Sequence, residues 1–299
     1  MLREAKGFAQ FISVERGVML FMISVGATFL TAGTTAWPQA IYIGITVFCI
    51  WSSVDAINNL CDVDLDALSD PARAEFTKKL GKLGLLITIA FTTLSLALGA
   101  ATLIPYVLLF VALGIVFGVL YSVPPFRLRK TAYKPIVNFT VGAIPVLIVA
   151  AFFNVFSINI ISLVLLIGVT TSVNSLWEDL ADYASDFNSG SRTIPIIVGF
   201  RKGLLLTITL GYVMIPFMMA VGLLFQLGWI YYGTLLGLTT FISLRVIQKR
   251  VTLSSNDGID LKKLHKLGEV LAKDFVMVAI AFTLGLMLSS LLKINPILI

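Results

Sequence analysis

Long apolar runs alternate with short polar segments along the whole chain. Each run has about 20 residues, the length of an α-helix that crosses the hydrocarbon core of a bilayer. The pattern predicts an all-α integral membrane protein with roughly nine transmembrane helices. The predicted spans cover residues 17–35, 38–60, 83–102, 106–121, 136–153, 158–177, 203–225, 229–247 and 274–292.

Two polar segments between the runs have the features of short helices. Ser69-Asp70-Pro71 combines a capping residue with proline at the first helical position, which is typical of a helix start. Thr193-Ile194-Pro195 predicts a second short helix that continues through Phe200. We expect these two helices to lie at the membrane interface.

The composition excludes a soluble domain. Of the 299 residues, 58% are hydrophobic and 13% are charged, and the charged share is about half of that in globular proteins. Cys49 and Cys61 are too few for a disulfide framework or a cysteine metal site, and the single His265 excludes a histidine-based triad. Because Arg3 and Lys6 precede the first span, we expect no removable signal peptide.

Charge is distributed unequally between the two ends of the predicted spans. Of the 22 Lys and Arg, only Lys293 falls on one side, so 21 lie on the other, together with all 16 acidic residues. Short cytosolic loops are enriched in Lys and Arg, so we expect the N-terminus in the cytosol and the C-terminus outside. The longest predicted loop on the cytosolic side is the basic segment 248–273. The net charge of +6 therefore reflects membrane topology and not a nucleic-acid partner.

Two polar rows with helical spacing stand at the ends of the second and sixth spans. Residues three or four apart share one face of a helix, so each row points in one direction. Carboxylates at a membrane edge are costly unless something pairs with them, and Mg²⁺ takes few protein carboxylates together with water and phosphate oxygens. We therefore interpret the rows as two parts of one site for Mg²⁺ and a diphosphate. The rows are Asn58, Asp62 and Asp66 in the first and Asp179, Asp182 and Asp186 in the second.

The two rows also indicate a weak internal repeat. Four spans separate them, and each row is followed by a predicted short helix. We expect a single membrane domain over residues 1–299, with similar halves at about 1–135 and 136–299 around a central cavity. The predicted metal ligands are Asp62 and Asp66 in one half and Asp182 and Asp186 in the other.

Basic residues near the rows complete the predicted anion site. Such groups stabilise the charge on a departing diphosphate. The same residues would also be present if they only followed the positive-inside bias, and this alternative stays open. The predicted diphosphate contacts in these polar segments are Arg73, Arg127, Arg129, Lys130 and Arg192.

One aromatic residue near the rows has two possible roles, and three acidic residues near them have no predicted role in the site. Tyr121 ends the fourth span, where its ring could stabilise an allylic cation or could belong to the aromatic belt of the membrane interface. Asp64, Asp70 and Glu178 do not fit the spacing of the rows, so we expect them to be solvated.

The same residues resemble the motifs of the UbiA-type intramembrane prenyltransferases, and the resemblance extends over the whole chain. The first row matches that family's Asn-x-x-x-Asp-x-x-x-Asp motif, and the second matches its Asp-x-x-Asp-x-x-x-Asp motif. A Gly-x-x-Thr-x-Pro-like segment follows at Gly190, Thr193 and Pro195. The family's Tyr-Ser-x-Pro-Pro-x-Arg-Leu-Lys segment corresponds to Tyr121–Arg129.

The resemblance implies nine helices around a central cavity, with a cytosolic cap of short helices over the metal site. It also implies Mg²⁺-dependent transfer of a prenyl group from a prenyl diphosphate to a lipophilic acceptor, by way of an allylic carbocation. On this basis we assign catalytic roles to Asn58, Tyr121 and Asp179, and we add Arg16 to the diphosphate contacts.

The chain departs from the family pattern at several positions. Asn59 replaces an Asp that is common after the first Asn, and Arg129 stands where Lys is usual. Ser69–Arg73 replaces an Arg-Pro-x-Arg-Pro run, and only Arg16-Gly17 remains of the Arg-Pro-x-Asn start of the first helix. These departures leave the predicted metal ligands in place, but they bear on which acceptor the protein would use.

The expected function is an integral-membrane prenyltransferase of lipid, quinone or carotenoid synthesis. The alternative is a membrane transporter with an acidic cation site. Transporters usually place their polar residues near the midplane of the membrane, whereas these spans concentrate charge at one edge, which favours the enzyme. An aromatic acid is the less favoured acceptor, because we expect no arginine beyond Arg16, near the edge of the first span, to reach its carboxylate.

Overall fold

The computed structural model describes residues 2–254 and 261–292 of the chain. Within these ranges, side chains are described except at positions 2, 3, 65, 66, 68, 69, 249–254, 261–265, 268, 269, 272 and 275. The described residues form helices and connecting turns, without a strand. The all-α prediction is confirmed.

Thirteen α-helices make up the described part of the chain, with short 3₁₀ turns at Thr34–Ala36 and Leu128–Lys130. Those in the first half are α1 (Leu2–Phe11), α2 (Val14–Ala32), α3 (Trp37–Ser69), α4 (Pro71–Leu80), α5 (Lys82–Ala101) and α6 (Pro105–Ser122). The others are α7 (Lys134–Phe153), α8 (Ile158–Ala181), α9 (Tyr183–Asn188), α10 (Ile194–Val198), α11 (Phe200–Leu224), α12 (Trp229–Ser254) and α13 (Leu261–Leu292).

Eight helices of the described chain are long and apolar enough to cross a membrane: α2, α3, α5, α6, α7, α8, α11 and α12. They correspond to the first eight predicted spans. The ninth predicted span corresponds to the shorter apolar stretch Val276–Leu292 of α13. The multi-pass membrane protein is confirmed, whereas the count of nine and the division into two similar halves stay predictions.

One hydrophobic cluster joins α2, α3, α6, α7 and α8 to the C-terminal helices α11, α12 and α13. Within it, α6 approaches α3 closely because Gly118 has no side chain: a Cβ there would collide with Val54. One turn away, a Cβ at Gly114 would lie 3.0 Å from Ile50. This contact sets the position of the segment of α3 that leads into the first polar row.

Both predicted short helices are present. α4 begins as expected, with Pro71 in its first turn and the carboxylate of Asp70 accepting a hydrogen bond of 3.2 Å from the backbone N–H of Arg73. α10 ends at Val198, two residues earlier than predicted, because Gly199 has a φ of +86° that ends the helix. That these helices cover the site as a cap stays a prediction.

Two segments are more helical than the sequence pattern predicted. α1 was not predicted at all; it lies against α4, where the ring of Phe76 faces Gly7. The prediction of a loop over residues 248–273 was wrong for 248–254 and 261–273, because α12 continues to Ser254 and α13 begins at Leu261. Residues 255–260 of this predicted loop lie outside the described residues. Leu267 and Leu271 recur at helical spacing and pack against Phe200 and other residues of a small cluster, which explains why this basic segment folds as a helix.

Candidate active site

The first polar row lies on one continuous helix, since α3 runs through residue 69. The carboxylate of Asp62 is buried and held by two arginines: Arg127 Nη2 lies 2.8 Å from Oδ1, and Arg129 Nη1 contacts Oδ2. Arg129 also donates to the side-chain oxygen of Asn58 over 3.1 Å, as does the hydroxyl of Ser122. Asn58 and Asp62 therefore face the same side of α3 and share Arg129 as a partner.

The second row begins with a buried ion-pair chain. Lys134 of α7 donates to Oδ1 of Asp179 over 2.6 Å and lies 3.5 Å from Oε2 of Glu178. Arg16 of α2 lies 3.1 Å from Oε1 of the same glutamate. The prediction that Glu178 is solvated was therefore wrong. Its side chain links α8 to Arg16 of α2 and to Lys134 of α7 through these two ion pairs.

The helix breaks within the second row, between Asp179 and Asp186. α8 ends at Ala181 and α9 starts at Tyr183, but the N–H of Asp186 still donates to the carbonyl of Asp182 over 2.8 Å. The two residues thus keep the four-residue relation that the spacing predicted. Thr193 donates to Oδ2 of Asp186 over 3.4 Å, and Asp182 is exposed.

The carboxyl group of Asp186 lies in an environment that disfavours its charged form. Burial raises its pKa above the usual range, the charge of Lys134 opposes this shift, and the charge of Asp182 adds to it. The charged form of Asp186 is therefore costly in the absence of a further cation.

One basic segment, residues 127–134, touches both rows. Arg127 and Arg129 bind the first row and Lys134 binds the second. Between them, the carbonyl oxygen of Lys130 accepts a hydrogen bond of 2.7 Å from the backbone N–H of Arg192. Burial lowers the pKa of the Lys130 ammonium, and the charge of Arg127 lowers it further. The segment is the structural connection between the two acidic motifs.

The remaining predicted site residues are Asp66, Arg73 and Arg192. The side chain of Asp66 lies outside the described residues. Arg73 lies 3.9 Å from Asp70, the cap of its own helix. The side chain of Arg192 is exposed, and its described contact is the backbone hydrogen bond to Lys130.

A cavity of about 320 Å³ opens beside the polar rows. Its walls are mostly apolar residues of α2, α3, α7, α8, α11, α12 and α13, such as Leu20 and Ile167. Asn58, Tyr121 and Arg16 line it together with Glu178. Tyr121 is thus placed in the cavity wall, and its role stays a prediction. A second apolar cavity, of about 310 Å³, lies between α8, α11, α12 and α13.

The contacts of three residues in this region were not predicted from the sequence. Lys134 was counted only among the loop bases, although it pairs with Asp179. Asn59 is buried and donates to the carbonyl oxygen of Phe11 over 2.8 Å, which ties the end of α1 to α3. Asp55 lines the cavity and is 8% exposed. Its position three residues before Asn58 on the same helix could have revealed it.

The residues of the site fit a divalent cation that is shared with a diphosphate. Among the described residues, no three acidic, cysteine or histidine side chains are grouped closely enough to hold a metal ion alone. Mg²⁺ does not require such a group, because phosphate and water oxygens complete its coordination. The buried Oδ2 of Asp179 has no hydrogen-bond partner among the described residues. Hard oxygen atoms and an unpartnered carboxylate oxygen are what such an ion would bind.

The fold and the site together define a multi-pass helical membrane protein with an acidic and basic site at the mouth of an apolar cavity. The sequence matches the UbiA prenyltransferase family over residues 19–259. The chain therefore belongs to the UbiA prenyltransferase family, and the resemblance found in the motifs is confirmed.

Similar proteins include a digeranylgeranylglyceryl phosphate synthase from Methanoculleus marisnigri, which is 27% identical over 177 residues. This match covers 58% of the chain and 62% of the relative, so the chain spans about three fifths of that relative's length. A structure of a digeranylgeranylglyceryl phosphate synthase has a TM-score of 0.65 at 16% identity, over 96% of this chain and 99% of that one. A UbiA homologue from Archaeoglobus fulgidus, bound to GPP and Mg²⁺, has a TM-score of 0.57 at 18% identity, over 93% and 99% of the two chains. The structural matches establish a shared fold.

Proposed function

We propose that this protein transfers a prenyl group from a prenyl diphosphate to a lipophilic acceptor in a Mg²⁺-dependent reaction. The observation that supports the proposal most is the basic segment 127–134, which joins two acidic motifs at the mouth of an apolar cavity. The segment supplies cations for a diphosphate, the motifs supply oxygen ligands, and the cavity accepts a hydrocarbon chain. Membership in the UbiA prenyltransferase family agrees with this combination of features, and it weighs against the transporter alternative.

The predicted metal ligands are Asp62 and Asp66 on α3 and Asp182 and Asp186 around the break between α8 and α9. Bound Mg²⁺ would neutralise charge on the diphosphate and so favour its departure. The relative from Archaeoglobus fulgidus, bound to GPP and Mg²⁺, supports this ion as the cofactor.

The basic residues hold the diphosphate and stabilise it as it leaves. Arg127 and Arg129 neutralise Asp62 in the described structure, so a cation that binds this carboxylate would free both guanidinium groups for phosphate oxygens. Arginine suits this exchange because its planar group binds carboxylate and phosphate in similar geometry. The remaining proposed contacts are Arg16, Arg73, Lys130 and Arg192.

The side chains around the cavity mouth assist the departure of the diphosphate and protect the cation that it leaves behind. Asn58 orients Arg129 through a hydrogen bond of 3.1 Å, and Asp179 positions Lys134. The ring of Tyr121 lies in the cavity wall, where it can stabilise an allylic cation. Apolar walls exclude water until the acceptor attacks.

The acceptor is a lipophilic molecule of lipid, quinone or carotenoid synthesis. Arg16 lines the cavity, but it is paired with Glu178, which makes an aromatic acid less suitable. We place the enzyme in the cell membrane, with its N-terminus and active site in the cytosol and its C-terminus outside, because of the charge asymmetry between the two ends of the spans.

The test is incubation of the purified protein with Mg²⁺, a labelled prenyl diphosphate and a panel of lipophilic acceptors. We expect prenyl transfer that a chelator abolishes and that Asp62→Asn or Asp182→Ala lowers by about 100-fold or more. Asp64→Asn is the matched control, since this side chain of α3 is 98% exposed. Absence of diphosphate release with every acceptor, together with unchanged prenyl diphosphate binding in both variants, would refute the proposal.

A further inference from the structure

A buried carboxylate in the cavity has no role in the reaction described so far. Asp55 lies on α3, three residues before Asn58, so both side chains are on the same face and Asp55 is one turn deeper in the cavity. It is 8% exposed. Among the described residues it has neither a hydrogen-bond partner nor an ion-pair partner.

The charged groups around Asp55 are engaged elsewhere. Arg16 and Glu178 line the same cavity, but they pair with each other at 3.1 Å, and Glu178 also interacts with Lys134. Arg129 is bound to Asn58 and Asp62, and Arg73 lies 3.9 Å from Asp70. These groups act on Asp55 through space without donating a hydrogen bond to it.

A buried carboxylate without a donor is costly, and a ligand that donates to it recovers much of this cost. The walls around Asp55 are mostly apolar, with residues such as Leu20, Val54 and Ile167. A hydrocarbon ligand would leave the carboxylate unpartnered. A ligand that carries a hydroxyl group at the end of an apolar chain would match both the walls and Asp55.

We propose that Asp55 binds the reactive hydroxyl group of the acceptor and takes its proton, so that the acceptor is a lipid alcohol. This inference rests on the proposed prenyl transfer. The bond between C1 of the prenyl group and the diphosphate oxygen breaks, and its electron pair leaves with the diphosphate. A lone pair of the hydroxyl oxygen forms a new C–O bond to C1, the O–H bond breaks, and the proton moves to the carboxylate of Asp55. The products are a prenyl ether and diphosphate.

The test compares three probes in the presence of Mg²⁺ and a prenyl diphosphate: a single-chain glycerol ether with one free hydroxyl, the same lipid with that hydroxyl methylated, and an acyclic polyene. We expect the intact protein to prenylate only the first. Asp55→Asn should lower kcat for this probe by about 100-fold or more, the range of general-base catalysis. It should leave the Kd for the prenyl diphosphate unchanged.

Two further variants separate a catalytic role from a structural one. Asp64→Asn, the exposed control on the same helix, should keep full activity. In Asp55→Ala, added formate should restore part of the transfer, because a small carboxylate can occupy the space that the side chain leaves.

The outcomes distinguish the inference from the proposed function. Transfer to the polyene or to the methylated lipid, or a kcat of Asp55→Asn equal to that of the intact protein, would overturn the role of Asp55. So would a joint loss of thermal stability and donor binding in Asp55→Asn without rescue by formate in Asp55→Ala. Failure of the intact protein to bind prenyl diphosphate with Mg²⁺ would overturn the proposed function itself.

Discussion

At the scale of single residues, two carboxylates of the site are already neutralised by cations. Asp62 is held by Arg127 and Arg129, and Asp179 is held by Lys134. Burying a carboxylate without such a partner would cost several kcal/mol. The same pairing places the guanidinium and ammonium groups where a diphosphate would bind, so one arrangement serves both stability and the proposed chemistry.

Asp186, in contrast, is partly buried and has no ion-pair partner among the described residues. Burial raises the pKa of its carboxyl group, so the charged form is less favourable in the folded state than in the unfolded chain. This cost is present in full above the folded-state pKa and disappears below the ordinary pKa of an aspartate, about 3.9. Asp186→Asn should therefore raise the thermal unfolding temperature of the metal-free protein at pH 7.

The measurement is thermal unfolding of the metal-free protein at neutral pH and at a pH towards 4. The advantage of Asp186→Asn should shrink as the pH falls, and Asp64→Asn should have no comparable effect at either pH. A variant that is less stable than the parent at pH 7 would show instead that the hydrogen bond from Thr193 outweighs the cost of the charge.

At the scale of helices, α3 carries the first polar row and Asp55, and its position depends on α6. Asp55, Asn58 and Asp62 lie on successive turns of α3, directly after the contact between Val54 and Gly118. A side chain at position 118 would push the two helices apart. The contact thereby connects helix packing to the geometry of the site.

Gly118→Ala should destabilise the protein by about 1–3 kcal/mol, the usual cost of adding volume to a packed core. The double variant Gly118→Ala with Val54→Ala should recover part of the loss, because the colliding methyl groups are removed. Reversible unfolding in mixed detergents measures these differences. Gly237→Ala is the control, since its Cβ would have no neighbour within 4 Å; equal effects at positions 118 and 237 would contradict the packing argument.

At the scale of the whole molecule, all charged residues except Lys293 fall on the side of the predicted spans that contains both acidic motifs. This asymmetry predicts that α4 lies in the cytosol and that the turn after α5 lies outside. Lys78 on α4 has a side chain that is 57% exposed, and Leu103 in the turn is 89% exposed. Both positions are therefore accessible to a labelling reagent.

In a background that carries Cys49→Ala and Cys61→Ala, Lys78→Cys should react only with reagent from the cytosolic side. Leu103→Cys should react only from outside. A membrane-impermeant maleimide, applied to intact cells and to inverted vesicles, makes the measurement. The reverse pattern would invert the orientation, and labelling of both positions from one side would show that α5 does not cross the membrane.

Much of the fold was predictable because membrane helices obey a strong local rule: a backbone in lipid must satisfy its hydrogen bonds within the helix. The start of α4 was predictable for a similar reason, since Asp70 and Pro71 act within one turn. α1 and the helical parts of segment 248–273 were not predicted. They are amphipathic or charged, and their stability comes from packing against distant residues such as Phe76 and Phe200.

The site was predictable to the extent that helical spacing defines it. The four-residue interval places Asn58 and Asp62 on one face, and it survives even across the break at Asp182. The partners of these residues could not be assigned in this way. Glu178 was expected in solvent and Asp55 was not considered, because burial and pairing depend on which helices meet.

The sequence by itself determined the membrane class, the predicted orientation, the two polar rows and the family, since each follows from composition or from spacing within one helix. Only the tertiary structure decided that segment 127–134 joins the rows, that Lys134 binds Asp179 and that Asp55 stays unpartnered in the cavity. The physical reason is distance along the chain. Arg127 follows Asp62 by 65 residues and Lys134 precedes Asp179 by 45, and contacts between such residues arise only when the helices pack.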